Sequence, residues 1–125
     1  MTEISQHAYN KIREFIQTNF DHISLTHDGT GDGVVGEVLR LNPSDERVQW
    51  NSALTDQEQE LQIEVSGNDE DINFPQSFTG CSVYWDAEDN EPLAEKTFSP
   101  RIIESETDSF TVQVVFKVPV QIEGE

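Results

Sequence analysis

Lysine is almost missing from this sequence: only Lys11, Lys96 and Lys117 occur. Lys and Arg together number 7 against 25 Asp and Glu, a formal net charge of −18. Affinity for phosphate backbones is built from Lys and Arg contacts, so nucleic acid is excluded as a partner. The same shortage of cations argues against docking to an anionic membrane. Cysteine is represented once, by Cys81. That rules out a disulfide framework and any multi-cysteine metal site, and leaves a small buried apolar residue as its expected role. No apolar run approaches the roughly 20 residues needed to span a bilayer. Met1-Thr2-Glu3-Ile4-Ser5 has neither the basic region nor the apolar core of a signal peptide, so the chain reads as one used without Sec export.

What is present is apolar residue in an ordered pattern. Leu, Ile, Val and Phe make up 33 of the 125 residues. That fraction lies above the roughly 20% below which a highly charged chain is suspected of disorder. Val and Ile number 20 against 11 for Leu, Ala and Met, which favours strands over helices. The composition therefore describes a folded domain inside an acidic shell. Such a shell repels itself in dilute buffer. In molar salt the screening length falls to about 3 Å and the repulsion fades. A halophilic source is the expectation.

Along the chain, Ile4, Ala8, Ile12, Phe15, Ile16 and Phe20 recur at spacings of three and four. This predicts an amphipathic helix over 2–20, capped at Thr2 or Ser5 and closed by a left-handed Asn19. Its stripe is expected to contact a sheet, with burial against a neighbouring subunit as the alternative. The period then changes to two. Short strands are predicted around Ile23 and Leu25, over Val34 to Leu41, at Val48 and Trp50, and over Leu61 to Val65. Phe78 to Trp85 is a further strand, and Pro100 is expected to break the stretch between Leu93 and Ile103. Phe110 to Val118 alternates most regularly, until Pro119 stops it. Thr55-x-x-Glu58 matches a capping box and marks a loop or a single helical turn. The fold class is mainly β: a β-sandwich or flattened barrel of about seven or eight short strands with one N-terminal helix. The whole chain, 1–125, reads as a single domain, with a β-rich body over 22–119 and an acidic tail over 120–125.

Chemistry motifs are scarce. The loop Asp28-Gly29-Thr30-Gly31-Asp32-Gly33 invites a calcium reading, but the twelfth position from Asp28 is Leu39 and not an acid. A glycine turn is the better description. Asn68 to Asp71 reads as a solvated hairpin tip. His7, His22 and His27 lack metal spacing, and His22 and His27 fall on opposite faces of a strand. No nucleophile elbow or phosphate-binding loop occurs. Neither an enzyme nor a cofactor is expected. The interface candidates are Ile4, Ile12 and Phe15 on the helix, with the aromatic residues Trp50, Tyr84 and Trp85.

The order of these elements resembles the small structural proteins of tailed-virus particles. The helix carries Tyr9-x-x-Ile12-Arg13-x-Phe15-Ile16 and is followed by a glycine-rich turn. Glu37-Val38-Leu39-Arg40 comes next, then Gly67-x-Asp69-x-Asp71-Ile72-x-x-Pro75. Phe110-Thr-Val-x-Val-x-Phe-x-Val-Pro119 closes the chain. The glycine turn is shorter than the loops of that plan. The resemblance implies a non-enzymatic virion component, in the tail or fibre region or decorating the capsid, assembled in the host cytoplasm. With the acidic shell it implies a virus of a halophilic archaeon or a marine bacterium. Its partners would be copies of itself, as a homo-oligomer, and other virion proteins. The alternative is a soluble cation- or ligand-binding β-domain.

Overall fold

The computed structural model describes residues 5–20, 22–53 and 55–117. One helix, α1 (Gln6–Asn19), precedes seven strands. These are β1 (His22–His27), β2 (Gly36–Leu41), β3 (Val48–Trp50), β4 (Glu58–Ser66), β5 (Gln76–Tyr84), β6 (Ala94–Ile103) and β7 (Ser109–Lys117). They form two antiparallel sheets, one ordered β2-β1-β5-β6 and the other β3-β4-β7. The protein is a β-sandwich and not a closed barrel.

Alternation produces the core. Ile23 and Leu25 of β1, Leu39 and Leu41 of β2, and Phe78, Cys81 and Val83 of β5 point inward from the four-stranded sheet. Leu61, Ile63 and Val65 of β4 lie beside Val114, Val112 and Phe110 of β7 in register and face them from the other sheet. The Phe78 and Phe110 rings meet between the sheets with centroids 5.1 Å apart. Burying each such side chain contributes about 1.5–3 kcal/mol. The central strand β5 is buried on both faces; on the outer one the glycine loop lies over Ser77, whose N–H donates to the Asp32 carbonyl at 2.8 Å. Cys81 is buried as expected, and desolvation pushes its thiol up to about 11.

Several boundaries differ from the expectation. The helix begins after Ser5, whose Oγ accepts a hydrogen bond from the Ala8 N–H at 3.2 Å, so the serine is the cap. Thr2 and Ile4 lie outside the described residues. At the other end Asn19 is not left-handed. Its Nδ2 donates to the Phe15 carbonyl, and the turn closes at Phe20, whose N–H donates to the Ile16 carbonyl. β2 starts at Gly36 rather than Val34: Gly36 pairs with His27 and, with a φ of +89°, turns the chain sharply at the point where it enters the strand. The buried Gln76 side chain holds both backbone groups of Val34 instead. Gly33, with a φ of +107°, must be glycine there, since a Cβ would collide with Gln76. Thr55-x-x-Glu58 caps nothing: Glu58 opens β4. Pro100 does not interrupt β6. That strand is an edge, and a bulge between Phe78 and Gly80 of β5 sits opposite, so the missing N–H costs no ladder bond. Residues 118–125, with Pro119 and the acidic tail, lie outside the described residues. No helix among those described is long and apolar enough to cross a membrane.

Candidate functional site

The helix crosses one end of the sandwich on a chain of aromatic rings. Trp85, just beyond β5, contacts Phe15 with centroids 5.6 Å apart. Phe15 meets Phe20 at 6.5 Å, and Phe20 meets Phe116 of β7 edge-on at 5.3 Å. Phe116 then meets Trp50 of β3 at 5.9 Å. The rings thus link the end of one sheet to the far edge of the other. Polar bonds fasten the same helix: Gln17 Nε2 donates to the Ser52 carbonyl at 3.1 Å and to the side chain of Gln59. Gln59 is itself fully buried and donates to the Ala53 and Asp56 carbonyls.

The helical stripe is only partly covered. Ile16 is buried, as expected of a core contact, but so is Arg13, which no apolar pattern indicates. Ile12 and Phe15 remain 42% and 49% exposed, and Trp85 is 45% exposed. Three of the six interface candidates therefore form one apolar patch. The other described candidates do not join it. Trp50 is half-buried and packs against the core. Tyr84 lies on the outer face of the sheet beneath Arg40, whose Cζ sits 3.8 Å from the ring centroid.

Arg40 also shapes the ground beside the patch. Its Nε donates to Glu37 at 2.8 Å, and its Nη1 faces the carbonyls of Asp86, Ala87 and Asp89 at 3.3, 3.1 and 2.8 Å. Asp86 completes the turn by accepting from the Glu88 and Asp89 N–H groups. The loop that follows Trp85 is thus fixed in shape and carries Asp86, Glu88, Asp89 and Glu91.

A second arginine organises the opposite acidic loop. Arg47 contacts Asp45 at 2.8 Å, Asp69 at 3.2 Å and Asp71 at 2.8 Å. Hydrogen bonds from the guanidinium hold the Asp45 and Asp71 carboxyls below the usual carboxylate range. Asp69 and Asp71 are therefore not a freely solvated hairpin tip, as their sequence suggests. The Asp28 loop is closed internally: Asp28 Oδ1 accepts from Thr30 N and Thr30 Oγ1, which lowers its pKa. Among the described residues no three His, Cys, Asp or Glu side chains are placed to hold a metal. A groove of about 500 Å³ runs along the outer face of β1, β5 and β6 past Thr26, Ser82, Tyr84 and Glu95.

One sheet edge is distinctive. Glu64 N–H donates to the Arg47 carbonyl and the Glu60 carbonyl accepts from Asn51 N–H, so the even residues of β4 turn their backbones toward β3. The odd residues Leu61, Ile63 and Val65 must then bond to Val114, Val112 and Phe110. It follows that Ser109, Thr111, Gln113, Val115 and Lys117 present their N–H and C=O groups to the unpaired side. Lys96 Nζ, reaching over from β6, donates to the Gln113 carbonyl on that side. Among the described residues β7 pairs with β4 alone. Its nine residues include no acid and no proline, and Val115 on the outer face is 48% exposed. Nothing in the sequence marks β7 as an edge; its alternation alone is equally compatible with a central strand. No protein-family model, curated protein or solved structure matches this chain.

Proposed function

We infer that the protein is a non-enzymatic assembly component that associates with copies of itself, β7 against β7, in high salt. The observation that carries this reading is the free edge of β7. Unpaired strand edges are templates for pairing, and proteins that stay monomeric blunt them with charge, proline or bulges. β6 is blunted in this way by Glu95, Lys96, Pro100 and Arg101. β7 carries no proline and a single charge, Lys117 at its very end, and beyond that only one carbonyl is covered, by Lys96. In a chain of net charge −18, an acid-free edge is also the place where two copies approach with least repulsion. Antiparallel pairing of two β7 strands about a two-fold axis would join both three-stranded sheets into one. The virion role belongs to this reading: a structural protein in the tail or fibre region, or on the capsid, of a tailed virus living in brine. Its support is the order of helix, glycine turn and closing strand described above. Sedimentation in molar NaCl tests it. A dimer is the expected result. A monomer whose melting responds to micromolar calcium would favour a cation-binding domain instead.

A further inference from the structure

We propose that the patch formed by Ile12, Phe15 and Trp85 is a docking site for a cationic amphipathic segment of another protein. The patch is distinct from the β7 edge and does not depend on self-association. Its apolar part is contiguous: the Phe15 and Trp85 rings touch, and Ile12 lies one helical turn before Phe15. Two aromatic rings left half-exposed and touching each other fit the centre of a contact, where rigid rings are buried at little entropic cost.

Charge selects the partner. The turn that leaves Trp85 carries Asp86, Glu88, Asp89 and Glu91 within six residues, and no lysine or arginine. Beside the apolar groups on the helix, Glu14 is answered by Lys11 at 3.5 Å, so the helix side is locally neutral. Among the described residues the unpaired acid beside the patch therefore lies on the Trp85 side. Arg40 fixes this turn through three backbone carbonyls, leaving the side chains of Glu88 and Glu91 without a bond in the described structure. A preformed acidic turn next to an apolar patch fits a segment with apolar side chains on one face and lysines or arginines along its border. A second copy of this chain fits poorly, because it would bring the same four carboxylates against themselves.

The test is titration of the full chain with a synthetic amphipathic helix of Leu and Lys, and with its Leu/Glu counterpart, followed by Trp fluorescence and calorimetry. The Leu/Lys peptide should bind at least about tenfold more tightly than the Leu/Glu peptide. Trp85→Ala should weaken that binding by about tenfold or more. Glu88→Gln with Glu91→Gln should weaken it several-fold and flatten its dependence on salt. Neither acid supports the fold through a side-chain bond, so this pair separates docking from misfolding. Equal binding of both peptides, no binding, or indifference to either variant would overturn the proposal. So would a concentration-dependent mass that Trp85→Ala abolishes, which would assign the patch to a second copy.

Discussion

Arg40 lies over the ring of Tyr84 with its guanidinium carbon 3.8 Å from the centroid, and the same guanidinium holds the turn that follows Trp85. One side chain thus joins β2, β5 and the acidic loop. Its planar fork does what lysine cannot, since one ammonium nitrogen cannot stack flat on the ring and also reach Glu37 from one side and the loop carbonyls from the other. Arg40→Lys should therefore lose most of what Arg40→Ala loses, about 1–2 kcal/mol in denaturant unfolding. Both variants should also speed amide exchange over residues 86–91. Full stability in Arg40→Lys would show that charge alone suffices.

Arg47 gives a prediction with a sign. Asp45 and Asp71 titrate below their unfolded values because Arg47 bonds to them. The stability they contribute is complete above the unfolded carboxylate pKa and is lost as pH falls through the lower folded values, that is, below about 4. Replacing Arg47 with Ala leaves Asp45, Asp69 and Asp71 facing one another without a cation. The variant should be destabilised by about 2 kcal/mol at neutral pH. Its pH dependence should also reverse, because protonating the stranded carboxyls now relieves repulsion. Unfolding of both proteins from about pH 7 down to about pH 2 checks this; parallel curves would contradict it.

The acidic shell predicts a response to salt. Screening shortens from about 10 Å in 0.1 M salt to about 3 Å in 1 M, so the self-repulsion of an −18 chain should fade over that range. The melting temperature should rise by several degrees on going from dilute to molar NaCl. An unchanged or lower value would remove the argument for a brine-adapted protein.

The β-class, the helix and most strands were legible because burial on one face imposes a period, and Leu61-x-Ile63-x-Val65 and Phe110-x-Val112-x-Val114 display it. The same alternation suits a sandwich or a flattened barrel, and the strand pairing into two separate sheets decides for the sandwich. Less legible were features set by tertiary partners. Gly36 shortens β2 through a backbone angle, and Pro100 is tolerated only because β6 is an edge. Asp69 and Asp71 look like a solvated tip until the fold brings Arg47 to them from 22 and 24 residues away. In the candidate site, the sequence offers Ile12, Phe15 and Trp85 as interface candidates on the same footing as Ile4, Trp50 and Tyr84. What separates them is which rings the helix covers, and a single sequence does not encode that locally. Arg40, the organiser of the adjacent turn, carries only the weak signal of Glu37-x-x-Arg40.

The claim that two copies meet along β7 is tested most directly by amide hydrogen exchange in molar NaCl at rising protein concentration. Thr111, Gln113 and Val115 turn their N–H groups to the unpaired side, whereas Val112 and Val114 are already bonded to β4. The account predicts that exchange at Thr111, Gln113 and Val115 slows as concentration rises, while Val112 and Val114 stay equally protected throughout. Fast exchange at the three odd positions under conditions where the protein sediments as an oligomer would contradict it, and would place the contact elsewhere on the molecule.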